Sequence, residues 1–199
     1  MCIRDRHSPD TGDILLNGRS ISGLPPHEIC HAGIARTFQL NAFFGTMSVM
    51  ENVLIASQHG HKSIDFQRTY FNSSERRRAE SALELVGLSD KAHLTAASLD
   101  ILGQKLLMIA VAIATDPQLL LLDEPSLGLA PTIVEKIYEH IQQLKKDTNL
   151  TILLVEQHAM KALSIADRVY FLRLGEIVTS GKASDLKEKT DFKKIYFGE

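Results

Sequence analysis

Leu119-Leu120-Leu121-Leu122-Asp123-Glu124-Pro125 is the stretch that decides the fold. Four apolar residues run without alternation straight into two carboxylates. A strand covered on both faces reads this way, whereas a strand with one wet face alternates. Thr151-Ile152-Leu153-Leu154-Val155 repeats the pattern, which predicts a second buried strand, and it ends at Glu156-Gln157-His158. Between the two, Pro131 suits the first turn of a helix whose inner face is Ile133, Ile137, Ile141 and Leu144. Strand, helix, strand is a βαβ unit, so the fold class is α/β with a parallel sheet.

In open parallel sheets, ligands bind beyond the carboxyl ends of the strands. Asp123 and Glu124 stand at such an end. Carboxylates are seldom buried unless paired or metal-bound, so packing explains this pair poorly. An apolar strand ending in Asp-Glu matches the Walker B arrangement of nucleotide hydrolases. There the aspartate holds Mg²⁺ and the glutamate orients or deprotonates the attacking water.

Outward from this centre, Asp13 to Ile21 is two short apolar arms around Asn17-Gly18, a β-hairpin signal. Pro26 can open a short helix to Ala32, and Gly33 to Gln39 reads as a strand running into a loop. Ser48 can cap a helix carrying Val49, Val53 and Leu54. His59 to Ser74 is polar and reads as a loop. Asn72 and Glu75 form a capping-box pattern before a helix with Ala79, Leu83 and Val86 on one face and Gly87 as its stop. Arg76-Arg77-Arg78 reads as a solvated face of that helix. Gln104 to Thr115 is a strongly apolar helix closed by Asp116-Pro117. A helix over 159–166, a hairpin split by Gly175 and a charged helical tail complete the chain.

Composition excludes several classes. The 199 residues carry 22 Lys+Arg against 24 Asp+Glu, which gives no electrostatic case for nucleic acid as a partner. Cys2 and Cys30 are too few for a disulfide framework, so a reducing compartment is expected. The longest apolar run, Leu106 to Ala114, falls far short of the ~20 residues of a membrane span. Nothing apolar follows Met1 to Arg6, so no signal peptide is expected. The histidines show no metal-ligand spacing, and Ser126 has no nucleophile-elbow context.

Several stretches, taken in order, resemble the nucleotide-binding subunit of ATP-binding cassette (ABC) transporters, in particular the ATPase subunits of branched-chain amino-acid importers. Leu119 to Pro131 looks like their Walker B and D-loop, and Thr151 to His158 like the strand before their switch residue. Ala35-Arg36-Thr37-Phe38-Gln39 looks like their Q-loop, and Met47 to Val53 like the helix after it. Ile165 to Val169 and Gly175 to Gly181 resemble the end of that domain. The likeness covers about Ser8 to Ser184. It implies a P-loop-NTPase-like parallel core with an α-helical sub-domain over about 40–103. The Walker B and switch region follows over 104–184, and the tail over 185–199. It implies ATP and Mg²⁺ as cofactors, with Asp123 and Gln39 at the metal and Glu124 and Gln39 serving hydrolysis. Ser126 and Gly128 would belong to the D-loop that crosses to the partner cassette.

The likeness also implies a second ABC ATPase subunit, transmembrane permease subunits and, indirectly, a solute-binding protein as partners. The subunit would lie in the cytoplasm, peripheral on the inner face of the cell membrane.

Three departures qualify the resemblance. A P-loop needs glycines whose N–H groups wrap phosphates, followed by Lys and Ser/Thr. The only Gly-Lys here is Gly181-Lys182, followed by Ala183, with Glu176 where the first glycine would stand. The family's P-loop precedes the part that resembles Ser8 to Gly12. The chain is therefore expected to be an N-terminally truncated form, lacking the first core strand, P-loop and helix, with Met1 to Arg6 foreign to it.

The signature loop falls on Leu99-Asp100-Ile101-Leu102-Gly103-Gln104, with Asp100 at the family's serine, Leu102 at its glycine and Gly103 one place late. Asp100, Gly103 and Gln104 are the nucleotide-contacting candidates of this loop. A carboxylate ~4 Å from a phosphate charge costs about 4 kcal/mol at an effective dielectric of about 20. The family's arginine in the following helix is Val111 here. At the switch position stands Gln157, with His158 one place later.

The resemblance implies an ATPase subunit energising an importer, with little ATP affinity in the chain as given. The alternative is a catalytically weak, structural or regulatory subunit of a heterodimer.

Overall fold

The computed structural model describes residues 9–37, 42–59 and 71–188. The chain divides into two compact units, Met1–Val155 and Glu156–Glu199. Among the described residues, no helix is long and apolar enough to cross a membrane.

The first unit is built on a three-stranded parallel sheet. Its strands are β3 (Ile34–Arg36), β4 (Leu119–Asp123) and β5 (Thr151–Val155), in the order β3-β4-β5. The Asp-Glu strand is therefore central, as its unbroken apolar run predicts. Leu120 and Leu122 are fully buried on one face. Leu119 and Leu121, on the other, line an apolar cavity of about 890 Å³ together with Leu153 and Val155. Leu153 and Val155 are 51% and 52% exposed, so β5 is not the fully buried strand its composition predicts. It stands at the edge of this sheet, and its period-2 alternation turns Thr151, Leu153 and Val155 to an open side.

Local chemistry explains the remaining elements of this unit. β1 (Leu15–Leu16) and β2 (Arg19–Ser20) pair antiparallel across Asn17 and Gly18. Both turn residues have positive φ, 49° and 78°, the conformation a two-residue hairpin requires. α1 (Pro26–His31) begins on its proline. α2 (Val49–His59) starts from a reciprocal cap: Glu51 N–H donates to Ser48 Oγ, and Ser48 N–H donates to Glu51 Oε2. α3 (Ser73–Leu85) has the predicted capping box of Asn72 and Glu75, buries Ala79 and Leu83, and is followed by Gly87 at φ 71°. The polar stretch is thus shorter than expected, because helix reaches His59 and resumes at Ser73; residues 60–70 lie outside the described part.

α4 (Ile101–Ile113) begins three residues before the expected Gln104, because Asp100 caps it. α5 (Pro131–Asp147) buries Val134, Ile137, Tyr138, Ile141 and Leu144. Val134 takes the place expected of Ile133, since positions 134, 137, 138, 141 and 144 follow the 3.6-residue period more closely. Arg78 also departs from a purely solvated reading. Its Nη2 donates to the Ser57 carbonyl at 3.0 Å and ties α3 to α2.

The second unit consists of α6 (Ala159–Ile165), β6 (Arg168–Arg173), β7 (Glu176–Lys182) and α7 (Ala183–Glu188). β6 and β7 form the predicted hairpin around Leu174 and Gly175, at φ 51° and 85°. Leu163, Ala183 and Leu186 form its core, with Val169 and Phe171 packed against them. β7 runs through Gly181-Lys182, so this Gly-Lys pair lies in a strand and opens no phosphate loop.

Candidate functional site

The candidate site is built at the carboxyl end of β4. Parallel register sets Asp123 opposite Val155 of β5 as the last paired residue. The chain then turns sharply. Glu124 takes φ 47°, and its N–H donates to the Val155 carbonyl at 2.9 Å. A left-handed backbone costs a non-glycine residue roughly 1–2 kcal/mol, and such strain clusters at functional positions. The turn is closed by the Leu127 N–H on the Glu124 carbonyl at 3.1 Å and the Leu129 N–H on the Ser126 carbonyl at 3.3 Å. Ser126 is buried within this turn, Gly128 adopts φ 74°, and Leu127 is exposed between them. Asp123, Glu124, Ser126 and Gly128 are therefore brought together in one continuous loop that leads into α5.

Asp123 has a partner that the sequence motif did not identify. The Arg36 guanidinium, at the end of β3, donates through Nη2 to Asp123 Oδ2 at 2.5 Å. The two side chains are 18% and 19% exposed, so the pair is mostly screened from water. The usable signal was an arginine ending an apolar strand, since such a charge needs a counter-charge nearby. Its identity depended on β3 lying beside β4, with Arg36 opposite Leu121.

Asp100, Gly103 and Gln104 form a separate group at the N-terminus of α4. Asp100 Oδ1 accepts the Gly103 N–H at 2.7 Å, and its carbonyl accepts the Gln104 N–H at 2.9 Å. Gln104 Nε2 reaches back to the Leu99 carbonyl at 3.0 Å. A Cβ at position 103 would lie 2.9 Å from Asp100 Oδ1 and 3.2 Å from Leu99 Cβ, so glycine fits the cap as it stands. The carboxylate uses a helix N-terminal donor that would otherwise be open to an anion.

Gln157 and His158 belong to the second unit. The Gln157 carbonyl accepts the Ala159 N–H at 2.9 Å, and His158 precedes α6 without capping it through its side chain. Gln39 lies outside the described residues.

The donor set can be tested against Mg²⁺. Among the described residues, no group of three or more His, Cys, Asp or Glu could hold a metal ion. Mg²⁺ does not need one. It keeps several waters and is bound through one or two carboxylates plus substrate phosphates. Asp123, a hard oxygen donor at a strand end, fits that mode and would hold the ion.

A model of the family described as "ABC transporter" matches residues 1–127. The high-affinity branched-chain amino acid transport ATP-binding protein BraF of Pseudomonas aeruginosa is 34% identical over 206 residues, spanning all of this chain and 80% of that protein. The corresponding protein LivG of Escherichia coli is 34% identical over 205 residues, with the same coverage. Among solved structures, the ADP conformation of MJ1267, an ATP-binding cassette of an ABC transporter, superposes with a TM-score of 0.78 at 28% identity. It covers 96% of this chain and 78% of that one. The dimeric post-hydrolysis state of the cassette MJ0796, bound to ADP and Pi, shares the fold with a TM-score of 0.71 at 22% identity.

Proposed function

The chain belongs to the ABC transporter family, and from that premise we propose that it is an ATP-binding subunit that energises an importer of branched-chain amino acids or related solutes. The observation that carries this reading is the turn at Asp123-Glu124, on a chain alike along its whole length to proteins named for branched-chain amino-acid transport.

In this reading Asp123 holds Mg²⁺, which offsets phosphate charge when bound. Glu124, set by its left-handed backbone at the end of β4, accepts a proton from the attacking water. Hydrolytic roles for Gln39, Gln157 and His158 rest on family likeness alone. The Ser126–Gly128 turn, with Leu127 exposed, faces a second cassette. The helical part, about 40–103, meets a transmembrane permease on the cytoplasmic side of the membrane, and a solute-binding protein acts beyond it.

The test is ATP turnover in the assembled transporter. Glu124→Gln should lower it by about 10²–10⁴-fold, the usual contribution of a positioned base. Unchanged turnover overturns the role of Glu124. The 199-residue chain by itself should bind ATP poorly, since it contains no glycine-rich loop followed by Lys and Ser/Thr. A ligand at about 100 times its Kd stabilises a fold by ~2.7 kcal/mol, so Mg-ATP should leave the melting temperature of this chain unmoved.

One observation favours a second reading, in which this subunit is the catalytically weak half of a heterodimer. The Asp100 carboxylate sits on the Gly103 N–H, a donor in the loop that family likeness assigns to a partner's phosphate. Asp100→Ser should then raise turnover of the assembled transporter. An unchanged rate removes this reading.

A further inference from the structure

The Arg36–Asp123 pair carries an inference that rests on Asp123 as the metal-holding carboxylate and deepens that role. The guanidinium is bound to one oxygen of the carboxylate that would receive a cation, with Nη2 on Oδ2 at 2.5 Å and both side chains mostly shielded. A guanidinium in a protein is a fixed positive charge. A bare divalent cation at Asp123 would therefore meet a fixed positive charge beside it, in surroundings less polar than water. A cation accompanied by phosphates brings compensating negative charge, and the guanidinium fork suits phosphate oxygens as well as carboxylate oxygens.

We propose that Arg36 is a charge gate on Asp123: it makes this carboxylate refuse a bare divalent cation and accept one that arrives with phosphates. Arg36 is a positioning residue here, acting through Asp123. It is held where the sheet puts it, since β3 and β4 pair in register from Ile34–Leu119 to Arg36–Leu121. In the absence of a ligand it supplies the counter-charge that a partly buried carboxylate needs.

The test uses Mn²⁺ as the paramagnetic probe on the ¹⁵N-labelled chain, followed by broadening of the amide signals around Asp123. Two titrants are compared: Mn²⁺ alone, and Mn²⁺ with one equivalent of tripolyphosphate. Both titrants should bind this chain weakly, at occupancies too low to move its melting temperature but visible as paramagnetic broadening. In the wild type the tripolyphosphate complex should broaden these signals at the lower concentration. Arg36→Gln should invert the preference. Bare Mn²⁺ should act at a concentration on the order of tenfold lower, the size of effect that removal of a like charge within a few ångströms produces. The tripolyphosphate complex should weaken.

Arg36→Lys, which keeps the charge, should keep the wild-type preference, and it serves as the readout if Arg36→Gln does not fold. Adding Asp123→Asn should abolish the gained Mn²⁺ binding. An Asp123-dependent broadening with the same preference in wild type and Arg36→Gln overturns the gate and leaves Asp123 as a metal carboxylate. For Arg36→Lys, a preference unlike the wild type overturns it too. Broadening that is absent, or indifferent to Asp123→Asn, overturns both. Merely structural loss would weaken both titrants alike and could not invert their order.

Discussion

Asp100 and Gly103 define each other. The Asp100 carboxylate accepts the Gly103 N–H at 2.7 Å, and a Cβ at position 103 would lie 2.9 Å from that same oxygen. A side chain at position 103 would therefore force the capping carboxylate to shift from the place it holds here.

Gly103→Ala should destabilise the chain, although alanine normally improves a helix by about 1 kcal/mol over glycine. The added methyl displaces the capping oxygen and presses on Leu99. Asp100→Ala should cost about 0.5–2 kcal/mol through loss of the cap, and Asp100→Ser much less. Urea unfolding of the three variants checks the order.

Glu124 is predicted to trade stability for position. Its φ of 47° is left-handed, where glycine carries no steric penalty. Glu124→Gly should raise stability by up to about 1 kcal/mol, while Glu124→Gln should leave it unchanged. Thermal unfolding of the two variants against wild type measures this directly. A destabilised glycine variant would mean that the side chain itself supports the turn.

Cys30 lines the apolar cavity beside the sheet, and burial pushes its thiol above the ordinary range. The thiolate is the reactive form, so alkylation by iodoacetamide near pH 8 should be slow in the folded chain. Urea should restore the rate of an ordinary cysteine. A fast native rate would place the thiol in water.

His140, on α5, packs near Gly87, and burial lowers its pKa below 6.5, with Glu139 partly opposing. The unfolded chain therefore binds the proton more readily than the folded one. This histidine's contribution is complete above its unfolded pKa. It is lost as pH falls through that value toward the lower folded one. Between about pH 7 and 5, stability should fall less steeply in His140→Gln than in wild type. Parallel slopes in denaturant titrations would remove His140 from the acid response.

Much of this molecule was readable from short windows. The Asn17-Gly18 turn, the Asn72–Glu75 box, the Gly87 stop and the central apolar strand each follow from residues within a few positions of one another, which sense only local backbone geometry. The second strand was misread because an apolar run reports how much surface a strand could bury. It does not report whether a neighbour lies over it, and Leu153 and Val155 are half exposed at a sheet edge. Asp100 was legible as a charge at an unfavourable place but not as a cap, because that role depends on where the helix begins.

From the sequence alone came the α/β class, the family likeness and the carboxylate pair at the end of β4, since these rest on residue order and local periodicity. Tertiary structure alone decided that Arg36 meets Asp123. The two are 87 positions apart, and only the parallel pairing of β3 with β4 brings a guanidinium onto that carboxylate. A charge pair of this kind is a property of strand order and register, which no local pattern in the chain encodes.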